Sequence, residues 1–216
     1  MHPSIRAFPS QAFYEGRITD DTSVLTRSLS CRLLQEMALR FEPLTFFDLK
    51  SSQESADETS KTNREEALFI INMLQVLCTK VQPPELIGEV KGRIGIITPY
   101  KAQVRLIKDL LAQWLRGLKG INTRGDIEVN TVDAFQGQEK DVIIMSCVRA
   151  NQSASLKGSL GFLVDERRMN VAITRAKHFL FVVGNSRTLG RNEKWQGLIK
   201  ACRLVTYDSP AAYSVQ

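Results

Sequence analysis

Histidine and tryptophan are scarce in this 216-residue chain, two of each, and the four cysteines, Cys31, Cys78, Cys147 and Cys202, stand far apart with no Cys-x-x-Cys pair. That excludes the ligand spacing of a zinc site and a disulfide framework, and it points to reduced, buried thiols. No uninterrupted apolar run approaches the roughly 18 residues of a membrane span. Met1-His2-Pro3-Ser4-Ile5 lacks the basic and apolar regions of a signal peptide. The expectation is a soluble, intracellular protein. Also missing is Gly-x-x-x-x-Gly-Lys-Ser/Thr, the loop that cradles nucleotide phosphates. Its nearest approach, Gly120 to Gly125, is followed by Asp126 where the motif needs lysine. Internal repeats and low-complexity tracts are absent too.

What is there is enough for one sizeable core: 43% of the residues are hydrophobic and 24% charged. The net charge of +6 is unevenly spread, with 9 Lys/Arg against 13 Asp/Glu in the first 90 residues and 20 against 10 in the remaining 126. A basic half of this kind attracts a phosphate backbone through counterion release, although a solvated basic surface has the same composition.

Apolar runs of strand length alternate with amphipathic stretches of helix length, the pattern of a parallel sheet covered by helices in an α/β fold. Strands are predicted at Leu44–Leu49, Arg93–Thr98, Ile127–Val132, Asp141–Val148 and His178–Gly184. Lys50 to Ser60, rich in Ser, Glu and Asp, reads as an exposed, mobile loop. Thr62-Asn63-Arg64-Glu65 has capping-box spacing and opens a helix carrying Ala67, Ile70, Ile71, Leu74, Leu77 and Cys78, ended by Pro83-Pro84. A second helix runs from Lys101 to Leu118, with Val104, Ile107, Leu111, Trp114 and Leu118 on one face and Lys101, Arg105 and Lys108 on another. Asp165 to Lys177 and Glu193 to Arg203 read as helices, Cys31 to Leu39 as a short one. Met1 to Gly16, with Pro3 and Pro9, reads as an extended arm.

Two segments carry candidate chemistry. In Asn130-Thr131-Val132-Asp133-Ala134-Phe135-Gln136-Gly137-Gln138-Glu139-Lys140-Asp141, Gly137 permits close backbone approach to a phosphate, Gln136 offers donor and acceptor, and Glu139 suits a ribose hydroxyl pair. A plain turn capped by Asp133 and Asp141 fits the same residues. In Asp165 to Lys177, Arg168 and Arg175 are seven apart, two helical turns, with Ala172 between them. Paired guanidinium groups above a small residue make an anion site. The competing reading is a surface helix whose arginines pair with Asp165 and Glu166. Taking Phe162 to Glu166 as a magnesium-binding strand is rejected, because no phosphate loop accompanies it.

These segments, in this order, resemble the second RecA-like domain of superfamily 1B helicases of the up-frameshift, senataxin and Dna-two type. Met1-His2-Pro3, Phe8-Pro9-Ser10 and Phe13-Tyr14-Glu15-Gly16 resemble the arm that leads into that domain. Gly95 to Gln103 resembles motif IV, Asn130 to Asp141 motif V, and Asp165 to Lys177 motif VI. Gly137 to Asp141, Ser146-Cys147-Val148-Arg149, and Trp195 with Leu198-Ile199 are most similar to the senataxin branch.

The resemblance implies a RecA-like parallel sheet with helices on both faces, the second helicase domain without its own phosphate loop. It divides the chain into a peripheral segment at 1–40, the RecA-like domain at 41–206 and a tail at 207–216. It makes Arg175 the arginine that reaches the γ-phosphate, with Arg168 supporting it. Gln136, Gly137 and Glu139 become nucleotide contacts, and Thr98 and Thr131 contacts to the backbone of a single strand of RNA or DNA. ATP with Mg2+ would be held mainly by a first RecA-like domain, the implied partner. A nuclear location is implied in the same way. Family members carry Tyr-Arg before Met-His-Pro, where this chain has Met1 first, so a piece of a longer helicase or a degenerate product is expected. A non-catalytic nucleic-acid-binding module is the alternative.

Overall fold

The computed structural model describes residues 1–25, 29–57, 60–79, 91–116, 126–151 and 160–209. The Cys78 side chain, Pro83-Pro84, Leu118 and Gly120 to Gly125 lie outside the described residues.

Helices α1 (Pro3–Phe13), α2 (Thr22–Leu25) and α3 (Arg32–Arg40) precede strand β1 (Leu44–Leu49). A hairpin of β2 (Ser55–Asp57) and β3 (Ser60–Thr62) leads to α4 (Arg64–Thr79). Then come β4 (Ile94–Thr98), α5 (Lys101–Arg116), β5 (Ile127–Thr131), a 3₁₀ turn at Asp133–Phe135 and β6 (Lys140–Ser146). A second 3₁₀ turn at Gly161–Val164 opens onto α6 (Glu166–Ile173). The chain continues through β7 (Ala176–Gly184), α7 (Ser186–Leu189), α8 (Glu193–Ala201) and β8 (Arg203–Tyr207).

Six strands form one sheet in the order β5-β4-β6-β7-β1-β8, and every pairing in it is parallel. Alternate residues of the central strands feed two cores. Val142, Ile144, Phe181 and Val183 face α3, α4 and α5, while Ile143, Met145, Leu180 and Val182 face α1, α6 and α8. This is the predicted α/β sheet with helices on both faces, buried from both sides as parallel sheets are.

Local expectations failed in four places, besides the helix predicted over Asp165 to Lys177, which ends at Ile173. Met1 to Gly16 is not an extended arm: Pro3 stands at the first turn of α1, where a missing N–H costs nothing, and the His2 side chain caps it. Ile5, Phe8 and Phe13 pack the helix against the second core, and Pro9 is buried with them. Lys50 to Ser60 is not a plain exposed loop, because it contributes β2 and buries Ser52. The α4 cap sits one residue later than predicted: Asn63 Oδ1 accepts from the Glu66 N–H. Finally, α8 stops at Ala201 and the chain adds β8 as an edge strand beside β1.

Candidate functional site at two edges of one sheet

Motif residues gather first at the carboxyl ends of β4 and β5, where Thr98 and Thr131 are register partners. A cleft of about 370 Å³ opens there between Ser60, Tyr100, Lys101, Arg105, Thr131, Asp133, Phe162 and Arg168. Lys101 and Arg105 are exposed and one turn apart on α5, so their charges add to the positive end of the helix dipole at the cleft wall. Ser60 Oγ accepts from the Ala102 N–H at 3.2 Å and ties the hairpin to that helix end. Thr131 is half-buried and lines the cleft. Thr98 is fully buried, and its hydroxyl has no hydrogen-bond partner among the described residues. Of the two threonines predicted to touch a strand, only Thr131 reaches the surface.

A buried polar network holds this edge in place. Glu66 Oε2 accepts from Ser146 Oγ at 2.7 Å and from the Val148 N–H at 2.9 Å, while Asn63 Nδ2 donates to the Val148 carbonyl at 3.1 Å. Both peptide groups of Val148 are thus gripped, and Val148 has φ 69, a left-handed conformation that a β-branched residue adopts only under constraint. Gln103 Nε2 donates to the Asn63 carbonyl and to Ser146 Oγ. Burial pushes the Glu66 carboxyl up to about 8, against the Ser146 hydroxyl and the Val148 N–H, which pull it down. Next to it, Glu54 accepts from Arg149 Nε at 2.8 Å and meets Lys61 Nζ at 3.0 Å. Burial alone would raise the Glu54 carboxyl, but Lys61, Arg149 and the Ala150 N–H outweigh it and hold it below its ordinary value.

The second group lies at the opposite edge. The connection from β5 to β6 crosses the sheet, with Phe135 buried against Gly95, so that Gln136, Gly137 and Glu139 emerge exposed where β6 begins. Gly137 has φ +82, which glycine tolerates. Arg175 sits beside them, immediately before β7. Its Nε donates to the Val171 carbonyl at 2.9 Å, Nη1 to the Gln138 carbonyl at 3.2 Å and Nη2 to Thr174 Oγ1 at 2.9 Å. The Lys140 N–H donates to the Arg175 carbonyl, closing the two loops together. Arg175 is therefore joined to the loop of Gln136, Gly137 and Glu139, as one site would require.

The predicted pairing of the two arginines fails, because α6 ends at Ile173 and Arg175 is no longer helical. Arg168 stands at the other end of α6, donating through Nε and Nη2 to both carboxylate oxygens of Asp133 at 3.0 and 3.1 Å. Its guanidinium lies 5.0 Å from the centre of the Phe162 ring. Asp165 caps α6 through the Arg167 and Arg168 N–H groups rather than serving mainly as an ion-pair partner. Ala172, expected between the arginines, is buried in the core. A larger groove of about 640 Å³ near Arg40, Lys177, His178 and Arg203 is lined by none of the seven predicted site residues, so size alone does not mark the site.

Comparison with known proteins agrees with the ordered motifs. A family model described as an AAA domain matches residues 1–187. The chain belongs to that family, as a superfamily 1B helicase domain of the senataxin-like type. Helicase SEN1 of Saccharomyces cerevisiae is 39% identical over 203 residues, covering 93% of this chain and 8% of SEN1. The human protein named probable helicase senataxin is 39% identical over 201 residues, 93% of this chain and 7% of that one. Regulator of nonsense transcripts 1 of Dictyostelium discoideum is 37% identical over 201 residues, 92% of this chain and 14% of the relative. The helicase domain thus spans a small part of these relatives.

Sequence reasoning passed over several residues that shape the helicase domain's cleft. Lys101 and Arg105 carried a visible signal, a basic i, i+4 pair opposite the apolar stripe of α5. Phe162 stood inside a discarded reading of its segment. The Glu54 to Arg149 bridge joins positions 95 apart and left no local trace.

Proposed function

We propose that the chain is the second RecA-like half of an ATP-dependent RNA or DNA helicase, with a single strand along the carboxyl-edge cleft and the nucleotide against the amino edge. The observation that supports this most is the separation of the motif residues into two groups at opposite ends of one sheet, bridged by α6. At the cleft, Lys101, Arg105 and the Thr131 hydroxyl offer donors and positive charge to phosphate oxygens without reading base identity.

At the amino edge the residues fit one side of a nucleotide. Arg175 uses three of its five N–H donors to fix its own position, which leaves two for an anion. Gln136, Gly137 and Glu139 stand beside it, with Glu139 suited to a ribose. No phosphate loop occurs in the sequence, and no group of three His, Cys, Asp or Glu side chains among the described residues is placed to hold a metal ion. ATP with Mg2+, held mainly by a first RecA-like domain, would supply the γ-phosphoryl group and part of the charge neutralisation. Arg175 would offset charge on the γ-phosphoryl oxygens, and Arg168 would brace α6 through its contacts with Asp133 and Phe162.

Joining the chain to an upstream domain that carries a phosphate loop, and measuring strand-stimulated ATP turnover, tests the reading. Arg175→Ala should lower the rate by roughly 10³–10⁵. An unchanged rate would refute the role of Arg175. The lack of a phosphate loop also favours a second reading, a non-catalytic nucleic-acid-binding module, and under both readings the purified chain alone turns over no ATP.

A further inference from the structure

Phe162 is 52% exposed although both neighbours in its turn are fixed. Leu163 is 3% exposed and its carbonyl accepts from Trp195 Nε1 at 2.8 Å, while Trp195 itself is fully buried. On the other side Gly161 has φ +57, and a Cβ there would lie 3.3 Å from Arg149 Nη1 and from the Tyr100 hydroxyl. The segment therefore has one way to sit, and that way turns a large apolar ring outward at the mouth of the cleft. Tyr100 meets the ring edge-on at 6.1 Å between centroids, and Arg168 lies over it at 5.0 Å. Arg168 also grips Asp133, so the ring is braced from two directions.

A ring held in place, half in water and beside Lys101, Arg105 and Thr131, combines the two elements that bind single strands: positive charge along a backbone path and an aromatic face for a base. Charge selects the occupant. Among the described residues that line the cleft, three carry positive charge, Lys101, Arg105 and Arg168, against one acid, Asp133, which is paired with Arg168, so the lining favours an anionic occupant.

We propose that Phe162 is a stacking platform on which one base of a single-stranded nucleic acid rests while its backbone runs past Lys101 and Arg105. This rests on the cleft being the strand-binding site and adds a base contact to its phosphate contacts. The ring recognises a π-face rather than a hydrogen-bond pattern, so the contact is tolerant of sequence.

The test uses the full 216-residue chain and short single-stranded RNA and DNA oligomers carrying one 2-aminopurine, titrated at several salt concentrations. The expected result is quenched 2-aminopurine emission on binding. Phe162→Ala should abolish the quenching and weaken affinity by roughly 5- to 100-fold, whereas Phe162→Trp should retain both. Phe162→Ala should leave the slope of log K against log salt unchanged, because no phosphate contact is lost, whereas Lys101→Ala should reduce it by about 1. Wild-type binding without quenching, with Phe162→Ala equally tight, would overturn the platform and leave the cleft standing. No binding by the wild-type chain at low salt would overturn the cleft as a strand site, and the platform with it.

Discussion

The two edges of the sheet are built by opposite methods. At the carboxyl edge the cleft is backed by fully buried polar side chains, Asn63, Glu66, Gln103 and Ser146, which hold Val148 in a conformation it would not choose. At the amino edge Gln136, Gly137 and Glu139 are exposed, and Arg175 is positioned by main-chain carbonyls and one threonine. Preorganisation suits a surface that is complete by itself. Exposed donors with unused capacity suit a surface completed by something else, and under the proposed reading that is a nucleotide held by another domain.

The comparison can be broken most sharply by function. Arg175→Ala, expected to remove turnover in the joined protein, should leave the affinity of the isolated chain for a single strand unchanged within about twofold, since rim and remote charges contribute little when screened. A large loss of strand affinity would show that the edges are not separate. Next in size is pH. The folded chain keeps the Glu66 proton up to about 8 while the unfolded chain releases it near the ordinary glutamate value of 4.5. Stability should therefore be full below that lower value and fall as the pH climbs to the upper one, by on the order of a few kcal/mol. Chemical denaturation across that range should show the slope in the wild type and a much flatter profile in Glu66→Gln.

Gly95→Ala tests the crossing between the edges. A Cβ there would come within 2.8 Å of the Phe135 ring and 2.9 Å of Ile143 Cδ1, so the variant should lose roughly 1–3 kcal/mol in a denaturant melt through overpacking. The smallest effect belongs to Asp133→Asn. Its pair with Arg168 is partly exposed, so stability should change by less than about 1 kcal/mol. Removing the cleft's acid should nonetheless tighten strand binding severalfold at low salt, measured by the same titration.

How far the chain could be read in advance follows from the range of each interaction. The buried run Val142-Ile143-Ile144-Met145 announced itself because two-sided burial favours unbroken apolar sequence, and Leu44–Leu49 did so through four apolar residues out of six, despite the buried Thr45 and Asp48. Helix α1 hid behind its prolines: one occupies a permissive first turn, and Pro9 gives up a hydrogen bond inside a helix stabilised by tertiary packing. The β2–β3 hairpin has no apolar alternation, and the contacts that tie it down come from residues far away in sequence, Arg149 to Glu54 and Ala102 to Ser60. Helical spacing placed Arg168 and Arg175 on one face, but the helix unwound at Thr174 before the second was reached. The motifs pointed to loops that the structure gathers at two ends of one sheet. The end of the sheet that each loop occupies depends on strand direction and crossover, which local spacing does not contain.

One element spans both edges. The eight residues of α6, Glu166–Ile173, run from the cap Asp165 near the cleft to the cap Thr174 next to the loop of Gln136 to Glu139, a rod of about 12 Å. Its inner face, Met169, Ala172 and Ile173, is sealed in the core, so it pivots as a unit or not at all. Under the proposed reading, a small tilt imposed on such a rod at one tip would reach the other in the opposite sense, as in a seesaw. The spacing of the two tips would then set how far the grip on a strand shifts for each closure around a nucleotide.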